Sequence, residues 1–291
     1  MSSSYVARTD LAVETRERLF QKAKVIRGVE YHEEMQYGHI KISVVDIETE
    51  NASKKMGKAK GRYVTLDSPA LLEEDEDRHK EISKALARII MKMIRPDELQ
   101  RFGVLIVGLG NREVTPDSLG PRVIDHLFIT RHVIKEFGKY AYDEADITRI
   151  SGIAPGVLAQ TGMESAEIIR GIVSETNPDV VIAVDALAAG EAKRLGRTIQ
   201  LTNTGIVPGS GVGNHRHAIT KDSIGVPVIA IGVPTVVDAA SIVSDDENLP
   251  PQVNGMFVTP KNIDSSIKEL STIISEGINC ALLEYNSKEV M

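Results

Sequence analysis

Three continuous apolar runs mark the chain from Phe102 onwards, at residues 104–107, 180–184 and 226–231. Short runs of this kind, without polar alternation, are typical of strands buried on both faces of a sheet. Segments with helical periodicity lie between and after them, near residues 119–135, 162–175, 235–243 and 262–285. This order predicts an α/β fold with a doubly wound, mostly parallel sheet flanked by helices.

The first part of the chain follows a different pattern. Alternating polar and apolar residues over 31–47 and 63–66 predict strands, and the polar stretch 50–62 between them predicts an exposed loop. Apolar residues at helical spacing after the acidic run 73–77 predict a helix of roughly 20 residues. We therefore expect a strand-rich N-terminal segment with a small β meander at residues 11–84, followed by the α/β core at residues 85–291.

Composition excludes several classes of function. The chain has 291 residues and a formal net charge of −7, which argues against binding to a phosphate backbone. Its one cysteine, Cys280, allows neither an internal disulfide nor a thiolate cluster. Charges interrupt the amino end, and apolar runs stay short of the roughly 18 residues that cross a bilayer. We expect a cytoplasmic protein without nucleic-acid or membrane partners.

Candidate chemistry lies where the apolar runs end, because ligands bind at the carboxyl edge of an open parallel sheet. The glycine loop that begins at Gly108 does not match a dinucleotide fingerprint, since Glu113 occupies the position of the third glycine. Two aspartates remain. Asp117 lies in the loop after the first run, and Asp185 directly follows the second, so both are expected at the same edge.

Two carboxylates held close together cannot both ionise cheaply, so one keeps a proton while the other can activate water. Such a pair suits peptide-bond hydrolysis without a covalent intermediate. The sequence does not assign the acid and base roles. It also leaves open a structural interpretation, in which Asp117 caps a helix and Asp185 stabilises a turn.

His215 and His217 leave further interpretations open. They lie in the glycine-rich loop 208–217, and together with Asp117 and Asp185 they would supply oxygen and nitrogen ligands for a divalent metal. This requires the loop to fold over the same edge; otherwise both histidines are solvent-facing loop residues. A non-catalytic protein that binds a small anionic ligand through its glycine loops is the remaining alternative.

Several strings of residues, in the same order, closely resemble the spore germination protease family. They are Gly108-Leu109-Gly110-Asn111, Thr115-Pro116-Asp117-Ser118-Leu119-Gly120-Pro121, Ser151-Gly152-Ile153-Ala154-Pro155-Gly156, Val184-Asp185-Ala186-Leu187-Ala188, Pro208-Gly209-Ser210-Gly211-Val212-Gly213-Asn214 and Gly232-Val233-Pro234-Thr235-Val236-Val237-Asp238. The resemblance covers nearly the whole chain. It implies an endopeptidase, made as a zymogen in a spore-forming bacterium, that degrades small acid-soluble spore proteins during germination.

The resemblance also implies site residues, partners and location. Asp117 and Asp185 match the catalytic acids of the family, for which no cofactor or metal requirement is established, and the assembly is expected to be a homotetramer in the spore core. The family is distantly similar to hydrogenase-maturation peptidases, in which two matching acids and a histidine bind nickel. Where the family has basic residues, this chain has His215-Arg216-His217. A metal-dependent peptidase using Asp117, Asp185 and a histidine therefore stays open as the alternative.

The amino end resembles the family's own cleavage sites. Family substrates are cut after the acid in Thr-Glu followed by an apolar residue and Ala, and this chain contains Thr9-Asp10-Leu11-Ala12. The match predicts self-cleavage between Asp10 and Leu11, with residues 1–10 as the propeptide; alternatively, Asp10 only caps a helix. A basic pocket for the substrate's acid is also expected, with the candidates Arg112, Arg122, Arg194 and Arg216.

Overall fold

The structure is a computed structural model that describes residues 8–22, 26–94, 102–138, 147–213, 216–242, 253 and 255–283. Residues 1–7 of the expected propeptide lie outside these ranges, as does His215. Within the described ranges, one nine-stranded sheet organises the chain. Its strands are β1 (Val29–Gln36), β2 (Ile40–Ile47), β3 (Gly61–Asp67), β4 (Gly103–Gly108), β5 (Arg149–Ile153), β6 (Val180–Ala189), β7 (Thr198–Thr202), β8 (Val228–Asp238) and β9 (Phe257–Val258).

The sheet combines a parallel half with an antiparallel half. The strand order is β1-β2-β3-β7-β8-β6-β4-β5, with β9 on β8. Strands β8, β6, β4 and β5 pair in parallel, whereas β1, β2, β3 and β7 pair antiparallel and join the parallel half through β7 and β8. The predicted α/β class is confirmed, and the expected meander is an extension of the same sheet.

Helices cover both faces of the parallel strands, as a doubly wound fold requires. They are α1 (Ala12–Lys22), α2 (Glu50–Met56), α3 (Glu76–Ile94), α4 (Leu119–Asp125), α5 (Arg131–Phe137), α6 (Leu158–Thr161), α7 (Ser165–Thr176), α8 (Lys221–Ile224), α9 (Ala239–Ile242) and α10 (Ile263–Leu283). Ile182 on β6 packs in a core cluster with α3, α4 and α10, and its neighbour Val181 packs with α7 and α8. The alternation of side chains along a strand thus gives the sheet two buried faces.

Two expected elements differ from the structure. The exposed loop expected over residues 50–62 is wrong, because α2 fills its first half. The Thr49 hydroxyl caps this helix by accepting from the Ala52 amide, and Gly57 ends it in the left-handed conformation. The helix expected over 235–243 shrinks to α9, because β8 continues to Asp238 while it pairs with β6.

The boundary expected between residues 84 and 85 falls inside α3, which packs along α10. The N-terminal segment and the core therefore share one sheet and one helix. No helix within the described ranges combines the length and the apolar character needed to cross a membrane.

Candidate active site

Asp117 and Asp185 line the same cavity at the carboxyl edge of the parallel strands. Asp117 ends a 3₁₀ turn, Thr115–Asp117, between β4 and α4, and Asp185 is the sixth residue of β6. The cavity has a volume of about 440 Å³. The two residues are 68 positions apart in sequence (185 − 117), and the parallel pairing of β4 with β6 brings them together.

Two glycines allow the Asp117 turn to pack closely. Gly110 has a φ of 109°, and a Cβ at this position would lie 2.0 Å from the Asp117 carbonyl oxygen. At Gly120 in α4, a Cβ would lie 2.5 Å from the Val184 carbonyl oxygen of β6. The Asn111 amide donates a hydrogen bond of 2.8 Å to Asp117 Oδ2. The glycine loop thus orients Asp117 through its backbone.

Burial and neighbouring groups shift the pKa values of the two acids differently. Burial raises the pKa of Asp185 well above its ordinary value, and the nearby carboxylates of Asp117 and Asp10 raise it further. Burial also raises the pKa of Asp117, but the hydrogen bond from the Asn111 amide opposes this shift. A group whose neutral form is favoured by both desolvation and like charges keeps its proton longer. These surroundings therefore favour the neutral form of Asp185 more than that of Asp117.

This arrangement predicts how stability depends on pH. Because folding raises the pKa of Asp185, the neutral acid stabilises the fold fully below its unfolded pKa of about 3.8, and that contribution is lost as pH rises through the folded pKa. Asp185→Asn should remove this loss, so its free energy of unfolding should exceed that of the unchanged chain by more at pH 8 than at pH 5, with a difference on the order of 1 kcal/mol. Urea unfolding at both pH values measures the difference.

The exposed acid Asp222, on α8, offers a matched control. Asp222→Asn should change the free energy of unfolding equally at pH 5 and pH 8. An Asp185→Asn difference that is the same at both pH values would contradict the assigned direction of the pKa shift.

Asp10 enters the same cavity as the two acids. Its amide donates to the Ala188 carbonyl at 3.0 Å, and its Oδ2 accepts from the Ala188 amide at 2.9 Å. The Ser210 hydroxyl donates to Oδ1 at 2.8 Å. The carboxylate is thus bound by two neutral donors at the end of β6.

The carbonyl oxygen of Asp10 is held separately from its side chain. Lys58 Nζ donates to it at 2.9 Å and also to the Thr9 carbonyl at 2.9 Å. Gln200 Nε2 donates to the same Asp10 oxygen at 3.2 Å, while Gln200 Oε1 accepts from the Ala12 amide at 2.7 Å. The bond between Asp10 and Leu11 is therefore fixed on its carbonyl side.

Leu11 is fully buried beside Leu187 and Ile206. Helix α1 begins at the next residue, as expected for a short helix after Asp10. The segment around Asp10 consequently lies along the end of β6, with the Asp10 carboxylate on the Ala188 amide and the Leu11 side chain packed against Leu187.

The arginine and histidine candidates lie partly at the cavity and partly away from it. Arg216 and His217 line the cavity. Arg112 instead pairs with Asp125, and Arg194 pairs with Asp67 and Glu17, so neither arginine holds the Asp10 carboxylate. Arg122 donates to the Ser118 hydroxyl. Within the described part of the chain, no group of three or more His, Cys, Asp or Glu residues is arranged to hold a metal ion.

Sequence reasoning missed the residues that hold Asp10: Lys58, Ala188, Gln200 and Ser210. They lie between 48 and 200 positions from it along the chain. Lys58 belongs to a polar stretch with no distinguishing pattern, and Gln200 is one polar residue in a strand. Ala188 and Ser210 lie within strings that resemble a known family, but nothing in the sequence linked either of them to Asp10.

Comparison with known proteins gives a consistent result. A sequence model of the germination protease family matches residues 5–249. A germination protease from Caldanaerobacter subterraneus subsp. tengcongensis is 44% identical, with 94% of each chain covered. One from Clostridium tetani is 42% identical over 94% of this chain and 95% of its own, and one from Bacillus subtilis is 35% identical over 99% and 96%.

One solved structure, a NiFe hydrogenase maturation protease from Thermococcus kodakarensis, matches at 21% identity and a TM-score of 0.34. The match covers 63% of this chain and 92% of that one.

Proposed function

The chain belongs to the germination protease family, and from that premise we propose that Asp117 and Asp185 are the catalytic pair of its peptidase activity. Membership makes the chain a peptidase of spore germination. The observation that carries the proposal is the meeting of three groups in one cavity: both acids and Asp10, whose peptide bond to Leu11 matches the family's cleavage sites.

The pKa directions suggest a division of roles. Asp117, whose carboxylate accepts the Asn111 amide, is the base that takes a proton from water. The water oxygen attacks the carbonyl carbon of Asp10. Asp185, which keeps its proton, donates it to the Leu11 nitrogen as the C–N bond breaks. The products are a new carboxyl group on Asp10 and a new amino group on Leu11, and the proton taken by Asp117 balances the one given by Asp185.

We propose further that the intact chain is a zymogen that cleaves itself. Asp10 occupies the cavity of its own protomer, so its carboxylate fills the position that an acidic substrate residue would need. An occupied cavity explains why the intact chain would be inactive towards other proteins.

Self-cleavage should therefore be intramolecular. Incubation of the full chain should release residues 1–10 and leave Leu11 as the new amino terminus, with a first-order rate constant that does not change over a tenfold range of protein concentration. Intact-mass spectrometry over a time course measures both. A rate proportional to concentration would contradict cleavage within one protomer, and absence of cleavage at this bond would overturn the proposed processing.

Substrates, assembly and location extend the same proposal. Small acid-soluble spore proteins, cut after an acidic residue, fit a cavity that binds the Asp10 carboxylate through neutral donors. By the same family resemblance, we propose a homotetramer in the spore core. Purified substrate incubated with the processed protein should be cut after acids that precede an apolar residue.

A further inference from the structure

The two donors on the Asp10 carbonyl oxygen have the form of an oxyanion site. Lys58 Nζ lies 2.9 Å and Gln200 Nε2 3.2 Å from this oxygen, which belongs to the bond that the proposed function cleaves. During hydrolysis, negative charge develops on this oxygen as water attacks. Donors already placed around an oxygen that becomes charged stabilise the transition state more than the ground state.

Both donors are held in place by their surroundings. Gln200 is buried on β7, and its Oε1 accepts from the Ala12 amide at 2.7 Å, which fixes the orientation of its NH₂ group. Lys58 is partly buried and bridges the Thr9 and Asp10 carbonyls. Burial lowers the pKa of Lys58, whereas the carboxylates of Asp10 and Glu14 favour its charged form.

Asp117 and Asp185 accept hydrogen bonds from backbone amides and not from Lys58 or Gln200. Asp117 accepts the Asn111 amide, and Asp185 accepts the Ala186 amide at 2.9 Å. The Ser210 hydroxyl binds the Asp10 side chain and not its carbonyl oxygen. Within the described part of the chain, Lys58 and Gln200 therefore supply the hydrogen bonds to the Asp10 carbonyl oxygen.

We propose that Lys58 and Gln200 are catalytic residues that polarise the carbonyl of the residue preceding the cleaved bond and stabilise the oxyanion formed there. The inference rests on the proposed function and adds to it a cationic group on the carbonyl oxygen of the cleaved bond. For a substrate protein, the same two donors receive the carbonyl oxygen of its acidic residue. Lys58 thus serves the main chain of the substrate, whereas the Ala188 amide and Ser210 recognise its side chain.

Self-cleavage of the full chain tests the proposal, because the reacting bond is already in place and the rate constant reports the chemical step. Lys58→Met removes the charge and keeps the length of the side chain. Gln200→Glu keeps an acceptor for the Ala12 amide but removes the donor to the Asp10 carbonyl. It tests the proposal independently if Lys58→Met fails to fold. Each should slow the release of residues 1–10 by about 100- to 1000-fold.

Lys60→Met is the matched control, since Lys60 is exposed on the same loop and lies 3.7 Å from Glu50. It should leave the rate unchanged. Hydrogen exchange of the Asp10 and Ala12 amides measures whether the segment remains docked. Slow cleavage in Lys58→Met with continued protection of these amides supports a catalytic role. If Lys58 only anchored the segment, the variant would lose both the protection and the cleavage rate.

The outcomes separate the inference from its premise. If the unchanged chain does not cleave itself, the proposed function fails. If it does, and Lys58→Met cleaves at the rate of Lys60→Met, only the oxyanion assignment is overturned. Slow cleavage accompanied by loss of protection at Asp10 also overturns it, since Lys58 would then be a docking residue.

Discussion

Asp185→Asn and Asp117→Asn are each expected to slow self-cleavage at the Asp10–Leu11 bond by about 10²- to 10⁴-fold. Asparagine keeps the shape of the side chain and cannot exchange the proton that the reaction requires. For Asp185, the change removes the group whose pKa burial and two neighbouring acids raise, and thus the proposed proton donor. The time course of residues 1–10 by mass spectrometry gives the rate constant for each variant.

The pair should behave as one unit. The double variant Asp117→Asn, Asp185→Asn is expected to be no slower than the worse single variant, because loss of either member already removes the acid–base function. Asp222→Asn, an exposed acid on α8, should cleave at the unchanged rate. Full activity in either single variant would rule out the pair, and multiplicative losses would mean that the two acids act independently.

The parts of the fold that could be predicted are those in which one local pattern decides the structure. The apolar runs of β4, β6 and β8 have no polar residue to face solvent, so burial on both faces follows from composition alone. Alternation marked β2, and helical spacing marked α3 and α10.

The missed elements depend on capping and on tertiary pairing. Helix α2 is rich in lysine and has little apolar surface, but Thr49 and Gly57 cap it, and its Ala52 and Met56 are buried in a cluster with β2 and β3. The C-terminal half of β8 has helical spacing, but pairing with β6 keeps it extended. In both places a contact from outside the segment overrides the local pattern.

The candidate site likewise contains residues whose position could be predicted and residues whose position could not. The location of Asp117 and Asp185 at one edge could be predicted because the ends of parallel strands meet there, and this rule needs only the positions of the strands. The donors to Asp10 follow no such rule. Lys58 reaches it from the loop after α2 and Gln200 from an antiparallel strand, so their roles depend on how the N-terminal meander joins the sheet.

The Asp10 carboxylate accepts hydrogen bonds from neutral groups, although the expected basic candidate Arg216 lines the same cavity. An arginine would bind a carboxylate strongly, but it would also lower the pKa of nearby acids and favour their ionised forms. Neutral donors from Ala188 and Ser210 bind Asp10 while its charge still raises the pKa of Asp185. A bound acidic residue thus favours the protonated state of the proposed proton donor.

Gly211 leaves the space that this carboxylate occupies. A Cβ at Gly211 would lie 2.1 Å from Asp10 Oδ2 and 2.6 Å from the Ala188 Cβ, which no side-chain contact tolerates. Gly211→Ala should therefore displace the carboxylate from the Ala188 amide and the Ser210 hydroxyl. Hydrogen bonds to a charged group contribute about 1.5–3 kcal/mol each, so loss of both is expected to slow self-cleavage by at least about 100-fold.

Gly171→Ala is the matched control, because a Cβ at Gly171 in α7 meets nothing within 4 Å. It should cleave at the unchanged rate and gain up to about 1 kcal/mol in stability from the better helix former. The double variant Gly211→Ala, Asp10→Ala tests the steric cause, since removal of the carboxylate makes room for the methyl group. Hydrogen exchange should then show the Asp10-position amide protected again, whereas Gly211→Ala alone should leave it unprotected. Unchanged cleavage in Gly211→Ala would mean that the acid is recognised elsewhere than at the end of β6.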